Sequence, residues 1–336
     1  MSATDKTLRR ALRQAGYSSS LLDAALLPDW AADPLADDDD HLPLRRAISR
    51  RLGVAGNVLQ GERIDFVWDD EARFKTLGAT DPLERHILAA FSIATAHLVG
   101  ELVETPLPEE WPGAAELRAA ILRSRRWVDL AGLLSASWAL GIPVVHLRLF
   151  PLERKAMHAV VAHSRERPVI MLGRDALYPA PLAFTLAHEL GHIMLGHLEP
   201  GGARIEMGEA DTLADSPLEA EANRFALELL TGSERPIVET ERKSFNAAML
   251  ASATLAASGL HRIEPGTLAL VTGYQTGLWP QATAALEIIY DAPREAWHSI
   301  NNLALDQLER GRRYTDTAYL ERLLGREDMN ARPIRK

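Results

Sequence analysis

The stretch LAFTLAHELGHIMLGHL (182–198) is apolar almost throughout, yet it carries three histidines and a glutamate. Imidazole and carboxylate groups buried in such a segment are costly unless something satisfies them. His188 and His192 stand at i and i+4, which on an α-helix places them about 40° apart in rotation and one turn apart along the axis. Two imidazoles so placed can reach one metal ion at about 2.0–2.1 Å. Glu189 falls to the side of that face, where its carboxylate can take a proton from a water that the metal activates. HELGH (188–192) is thus the H-E-x-x-H pattern, with a physical reason for each residue.

Composition narrows the chemistry. The chain has 336 residues and no cysteine, so disulfides are excluded and a metal site must be built from histidine and carboxylate. With 47% hydrophobic residues there is ample material for a packed core, and the length suggests two or three domains. The net charge of −9 argues against a chain whose main business is coating nucleic acid. The N-terminal MSATDKTLRRALRQAGYSSS has no apolar core of the secretory type, which points to the cytoplasm. The charge-poor runs 87–100 and 130–147 read as buried core and not as membrane spans, the first being too short and the second broken by Gly141 and Pro143.

Two histidines leave a catalytic metal one protein ligand short, because such sites hold three protein ligands and an open position. The best source is SPLEAEANRFALELL (216–230), a Ser-Pro helix start with an apolar stripe of Ala222, Phe225, Ala226, Leu229 and Leu230. Glu219 falls about 50° from the centre of that stripe, whereas Glu221 and Glu228 fall more than about 100° away. Glu219 is therefore the expected third ligand, and Glu221 is expected to face solvent. Asn223, one turn beyond Glu219, either supports a ligand or lies on the helix surface. On a continuous helix His197 lies about 140° round from His192, so it is expected to face elsewhere as a helix-end residue, with transition-state stabilisation as the alternative.

Around this segment the chain reads as helices flanking a small sheet. Helical patterns cover 5–15, 19–28, 42–54 and 82–104, with PDWAADPLADDDDHLP (28–43) as an exposed loop. The short N-terminal helices balance acidic and basic residues, which favours a packing module over a DNA-binding helix-turn-helix. ETPLPEEWPG (104–113) marks a boundary, two further helices follow, and GIPVVHLRL, HAVVAHS and RPVIML predict a three-stranded sheet. Beyond about residue 235 the pattern is helical again. The expected division is an N-terminal helical region (1–110), a central catalytic unit (111–235) and a C-terminal helical region (236–336).

RPVIMLGRDALYPAPLAFTLAHELGHIMLGH followed by EAEANRFALELL resembles the ImmA/IrrE family of bacterial metallopeptidases, whose pattern is a strand, then F-T-x-x-H-E-x-x-H, then E-x-x-A-N-x-F-A-x-x-L-L. The resemblance covers roughly residues 113–232. Where the family often continues L-L-M-P, this chain has LLTG. The resemblance implies an α+β fold with a zincin-like core, a small sheet plus the active-site helices, flanked by helical regions. It implies a Zn²⁺ cofactor held by His188, His192 and Glu219, with Glu189 as catalytic acid and base. It further implies regulatory proteolysis of one protein partner, such as a helix-turn-helix transcriptional repressor, in stress response, mobile-element induction or anti-phage defence. The competing expectation is a non-proteolytic regulator in which zinc staples the fold and the helical flanks grip a repressor or DNA. A peptide substrate is expected to pair as an added strand along an edge of the sheet.

Overall fold

The computed structural model describes residues 3–26, 42–55, 72–75, 81–153, 157–198, 203–206, 216–238, 244–291, 295–310 and 316–326. The aspartate-rich loop expected over 28–43 lies outside the described residues as far as position 41. The strands are β1 (Ala72–Lys75), β2 (Val144–His146), β3 (Ala159–Ser164), β4 (Arg167–Leu172) and β5 (Ala203–Glu206), and they form one mixed sheet in the order β1-β5-β3-β4-β2. β2, β3 and β4 fall where the β-branched runs predict them. β1 and β5 correct the expected three strands to five among the described residues. Both are four-residue segments, ARFK and ARIE, too short to display a period, and only their pairing identifies them: β5 runs antiparallel to β3 and parallel to β1.

The described helices are α1 (Ala3–Gln14), α2 (Ser19–Ala25), α3 (Leu42–Leu52), α4 (Pro82–Gly100), α5 (Ala114–Leu122), α6 (Leu130–Ala139), α7 (Pro179–Met194), α8 (Pro217–Thr231), α9 (Ala247–His261), α10 (Pro265–Thr276), α11 (Trp279–Tyr290), α12 (Trp297–Leu308) and α13 (Thr317–Leu323). The protein is thus α+β, rich in helix. No described helix is long and apolar enough to cross a membrane.

The sheet explains why its central strands carry unbroken apolar runs, AVVA (159–162) in β3 and VIML (169–172) in β4. Successive strand residues point to opposite faces. Val160 and Ala162 of β3, with Val169 and Met171 of β4, enter a core shared with α1 to α4, α12 and α13. Ala159, Val161, Ile170 and Leu172 enter a second core shared with α5 to α8. A sheet covered on both faces needs continuous rather than alternating hydrophobicity. The first core joins residues from the beginning, middle and end of the chain. The outer edge of β2 is closed by the wholly buried Asn301 of α12, which accepts from His146 N at 2.7 Å and donates to His146 O at 2.7 Å and to Leu324 O at 2.8 Å. An open strand edge invites foreign pairing, and this side chain removes it.

α7 and α8 pack closely in the second core. A Cβ on Gly191 would lie 3.2 Å from both the Cα and the carbonyl oxygen of Ala222. Any side chain there would require the Ala222 backbone to give by a few tenths of an ångström. The stripe predicted for α8 is buried throughout, with Ala222, Ala226 and Leu229 at 0% exposure. At its C-terminal end Arg118 of α5 donates to Leu229 O at 3.1 Å and Leu230 O at 2.7 Å, satisfying carbonyls that the helix itself leaves unpaired. Gly232 then ends α8 with φ 88°, so the LLTG sequence that departs from L-L-M-P forms a left-handed glycine cap.

Candidate metal centre

Helix spacing and the α7–α8 approach together bring the sequence-predicted groups to one place. His188 is 4% exposed, and His192, Glu189 and Glu219 are fully buried. The Nε2 atoms of His188 and His192 lie 3.0 Å apart. Glu219 Oε2 is 3.3 Å from His188 Nε2, and Oε1 is 3.6 Å from His192 Nε2. One ligand atom from each of the three residues lies within 4.8 Å of the others. Bonds of about 2.0–2.1 Å to a tetrahedral ion imply ligand–ligand edges of roughly 3.3–3.4 Å. The spacing of this donor set matches those edges, and two imidazoles with a carboxylate are suitable ligand types.

The other nitrogen of each ring is already engaged. His188 Nδ1 lies 2.9 Å from Asn223 Oδ1, an oxygen that can only accept. His188 must therefore donate from Nδ1, and in its neutral form the lone pair sits on Nε2, toward the shared point. Asn223, whose role the helical wheel left open, is the group that sets this orientation. Hydrogen bonding of a ligand's outer nitrogen both fixes the ring and raises the basicity of the inner one.

The expectation for His197 needs correction. It does not face away: its Nδ1 lies 2.9 Å from His192 Nδ1, and its Nε2 lies 3.1 Å from Glu221 Oε2. The wheel failed because α7 stops at Met194, five positions after Glu189. Gly196 adopts φ 71°, a left-handed turn that folds the chain back so that His197 N donates to His192 O at 2.9 Å. A glycine two residues past the last helical position is a C-terminal signal that could have warned of this. Glu221 does project outward, with its side chain 44% exposed, but it ends on His197 rather than in solvent alone. Gly191, the spacer inside HELGH, is the other contributor that ligand-seeking logic passed over.

Residues 139–248 match the family model for the IrrE N-terminal-like domain of peptidase family M78. No curated protein and no solved structure matches the chain.

Proposed function

We propose, from the match of residues 139–248 to the IrrE N-terminal-like domain of peptidase family M78, that this chain is a zinc-dependent endopeptidase that cleaves a specific protein partner. The observation that carries the proposal is the convergence of His188 Nε2, His192 Nε2 and a Glu219 oxygen within 4.8 Å of one another inside a core. In this reading the sheet with α7 and α8 is a zincin-like core spanning about residues 111–235. Residues 1–110 and 236–336 are helical flanks that support it, with β1 as a strand lent by the first of them. The setting is the cytoplasm of a bacterium, and the partner is a helix-turn-helix repressor whose removal switches a stress, mobile-element or defence response.

His188, His192 and Glu219 would hold Zn²⁺, which when bound supplies Lewis-acid polarisation of the scissile carbonyl and acidifies a water. Glu189, fully buried next to His188, would be the group that accepts a proton from the attacking water and returns it to the leaving amine. Asn223 keeps His188 turned with its lone pair inward. A substrate strand would pair along an edge of the sheet, where Asn301 already occupies the His146 position of β2.

Glu189→Gln separates proteolysis from zinc-stapled binding, because it keeps the shape of the side chain and removes the base. Incubated with repressors encoded beside its gene, the wild-type protein should cut one of them. The variant should retain zinc and fold while cleavage falls by about 10²–10⁴. A variant that still exerts the full regulatory effect in cells would show that cleavage is not the mechanism and that the flanks act by binding.

A further inference from the structure

The metal-facing nitrogen of His192 is selected from two residues away. His192 Nδ1 and His197 Nδ1 are 2.9 Å apart, and both are ring nitrogens, so one of them must donate and the other accept. The pair alone does not decide which. Glu221 Oε2 accepts from His197 Nε2 at 3.1 Å, so that nitrogen carries a proton. An ion held at His192 Nε2 requires the proton of that ring on Nδ1, and His197 Nδ1, with Glu221 behind it, is the acceptor placed to receive it. The chain is held in place by covalent geometry as well. Gly196 at φ 71° and the bond from His197 N to His192 O at 2.9 Å bring the ring back over the helix end.

We propose that His197 and Glu221 are positioning residues for the metal site, a two-step relay that fixes the tautomer of His192 and thereby tunes how tightly the ion is held. The proposal rests on the zinc reading above. It also explains an asymmetry of the centre: His188 is set by a neutral amide, Asn223, whereas His192 is set by a carboxylate acting through an imidazole. A carboxylate behind a ligating histidine strengthens it as a donor, so the two histidines contribute unequally.

The test is the zinc dissociation constant of the full chain, measured by competition with a chromophoric chelator. The melting temperature of the metal-free protein is followed in parallel. Wild-type protein that binds no zinc would fail the underlying reading, and the relay with it. Given wild-type binding, His197→Ala and Glu221→Ala should weaken zinc about 10–100-fold and leave metal-free melting unchanged. His197→Asn should restore most of the loss, since its Oδ1 offers an acceptor the same number of bonds from Cβ as the lost Nδ1, the part that Asn223 already plays for His188. Unchanged affinity in Glu221→Ala, whose half-exposed site tolerates the substitution without unfolding, would overturn the relay. Equal weakening in His197→Ala and His197→Asn would overturn it too. So would a loss of affinity that tracks a loss of metal-free stability, which would mark the pair as merely structural.

Discussion

On one face of the sheet Arg51 is buried against Asp316, and on the other His188 and His192 are buried against Glu219. Arg51 is 1% exposed, its Nε lies 2.6 Å from Asp316 Oδ1, its Nη1 donates to Ala25 O at 2.9 Å, and its own carbonyl accepts from Tyr319 Oη at 3.0 Å. Arg50 reaches the second Asp316 oxygen at 3.1 Å. Each of these donors meets an acceptor, and the cluster ties α2 and α3 to the start of α13. In the second cluster two ring nitrogens and a carboxylate oxygen converge within 4.8 Å, groups that suit a divalent cation. Buried charge is thus no mark of a functional site in itself; the sign of what converges is what distinguishes a staple from a binding centre.

That contrast can be broken first at the closed cluster. Arg51→Ala removes the buried partner of Asp316 and leaves it the half-exposed Arg50, and breaking a buried pair costs about 3–5 kcal/mol. Denaturant unfolding of the metal-free protein should show this loss while the folded fraction keeps its zinc affinity. A cost below about 1 kcal/mol would mean that the flanks are held by apolar packing alone.

A second buried group is His146, whose Nε2 sits 3.0 Å from Arg174 O and whose Nδ1 sits 3.2 Å from Leu147 O, so that the neutral ring donates to one of these carbonyls at a time. Burial lowers its pKa from 6.5 to about 4. The unfolded chain therefore takes up this proton first, and stability present above pH 6.5 is lost as the pH falls toward 4. The loss should approach about 3 kcal/mol relative to His146→Gln, read from unfolding free energies across that window. Parallel pH profiles for the two proteins would contradict the assignment.

Gly191→Ala sharpens the comparison from the other side, since its Cβ would press on the Ala222 backbone. We expect a stability loss of about 1–3 kcal/mol, with weaker zinc binding as α8 carries Glu219 away. Stability lost with zinc affinity intact would show that the site tolerates helix separation. Glu219→Gln should do the reverse: metal-free stability hardly changes, because a neutral amide replaces a buried carboxylate, yet zinc is lost far more completely than in Glu221→Gln. Equal zinc loss in both variants would show that α8 is phased differently.

The parts of this arrangement legible in sequence were those governed by a helical or strand period. The i, i+4 pair of His188 and His192, the inward phase of Glu219 and the apolar runs of β2 to β4 follow from repeat geometry alone. His197 did not, because a wheel extrapolates a helix past its end and one residue, Gly196, redirects the chain. Asn223 was ambiguous for a related reason: its phase is lateral, so its partner depends on how near α7 comes, which Gly191 sets. β1, β5 and Asn301 act through pairing across long sequence separations, and ARFK or a lone asparagine in a helix carries no local trace of it.

The central claim is that His188, His192 and Glu219 hold zinc, and elemental analysis tests it most directly. Protein purified without added metal or chelator should contain about one zinc per chain, and His188→Ala should contain almost none while remaining folded. Wild-type protein that is metal-free and stays so after incubation with zinc and desalting would contradict the account.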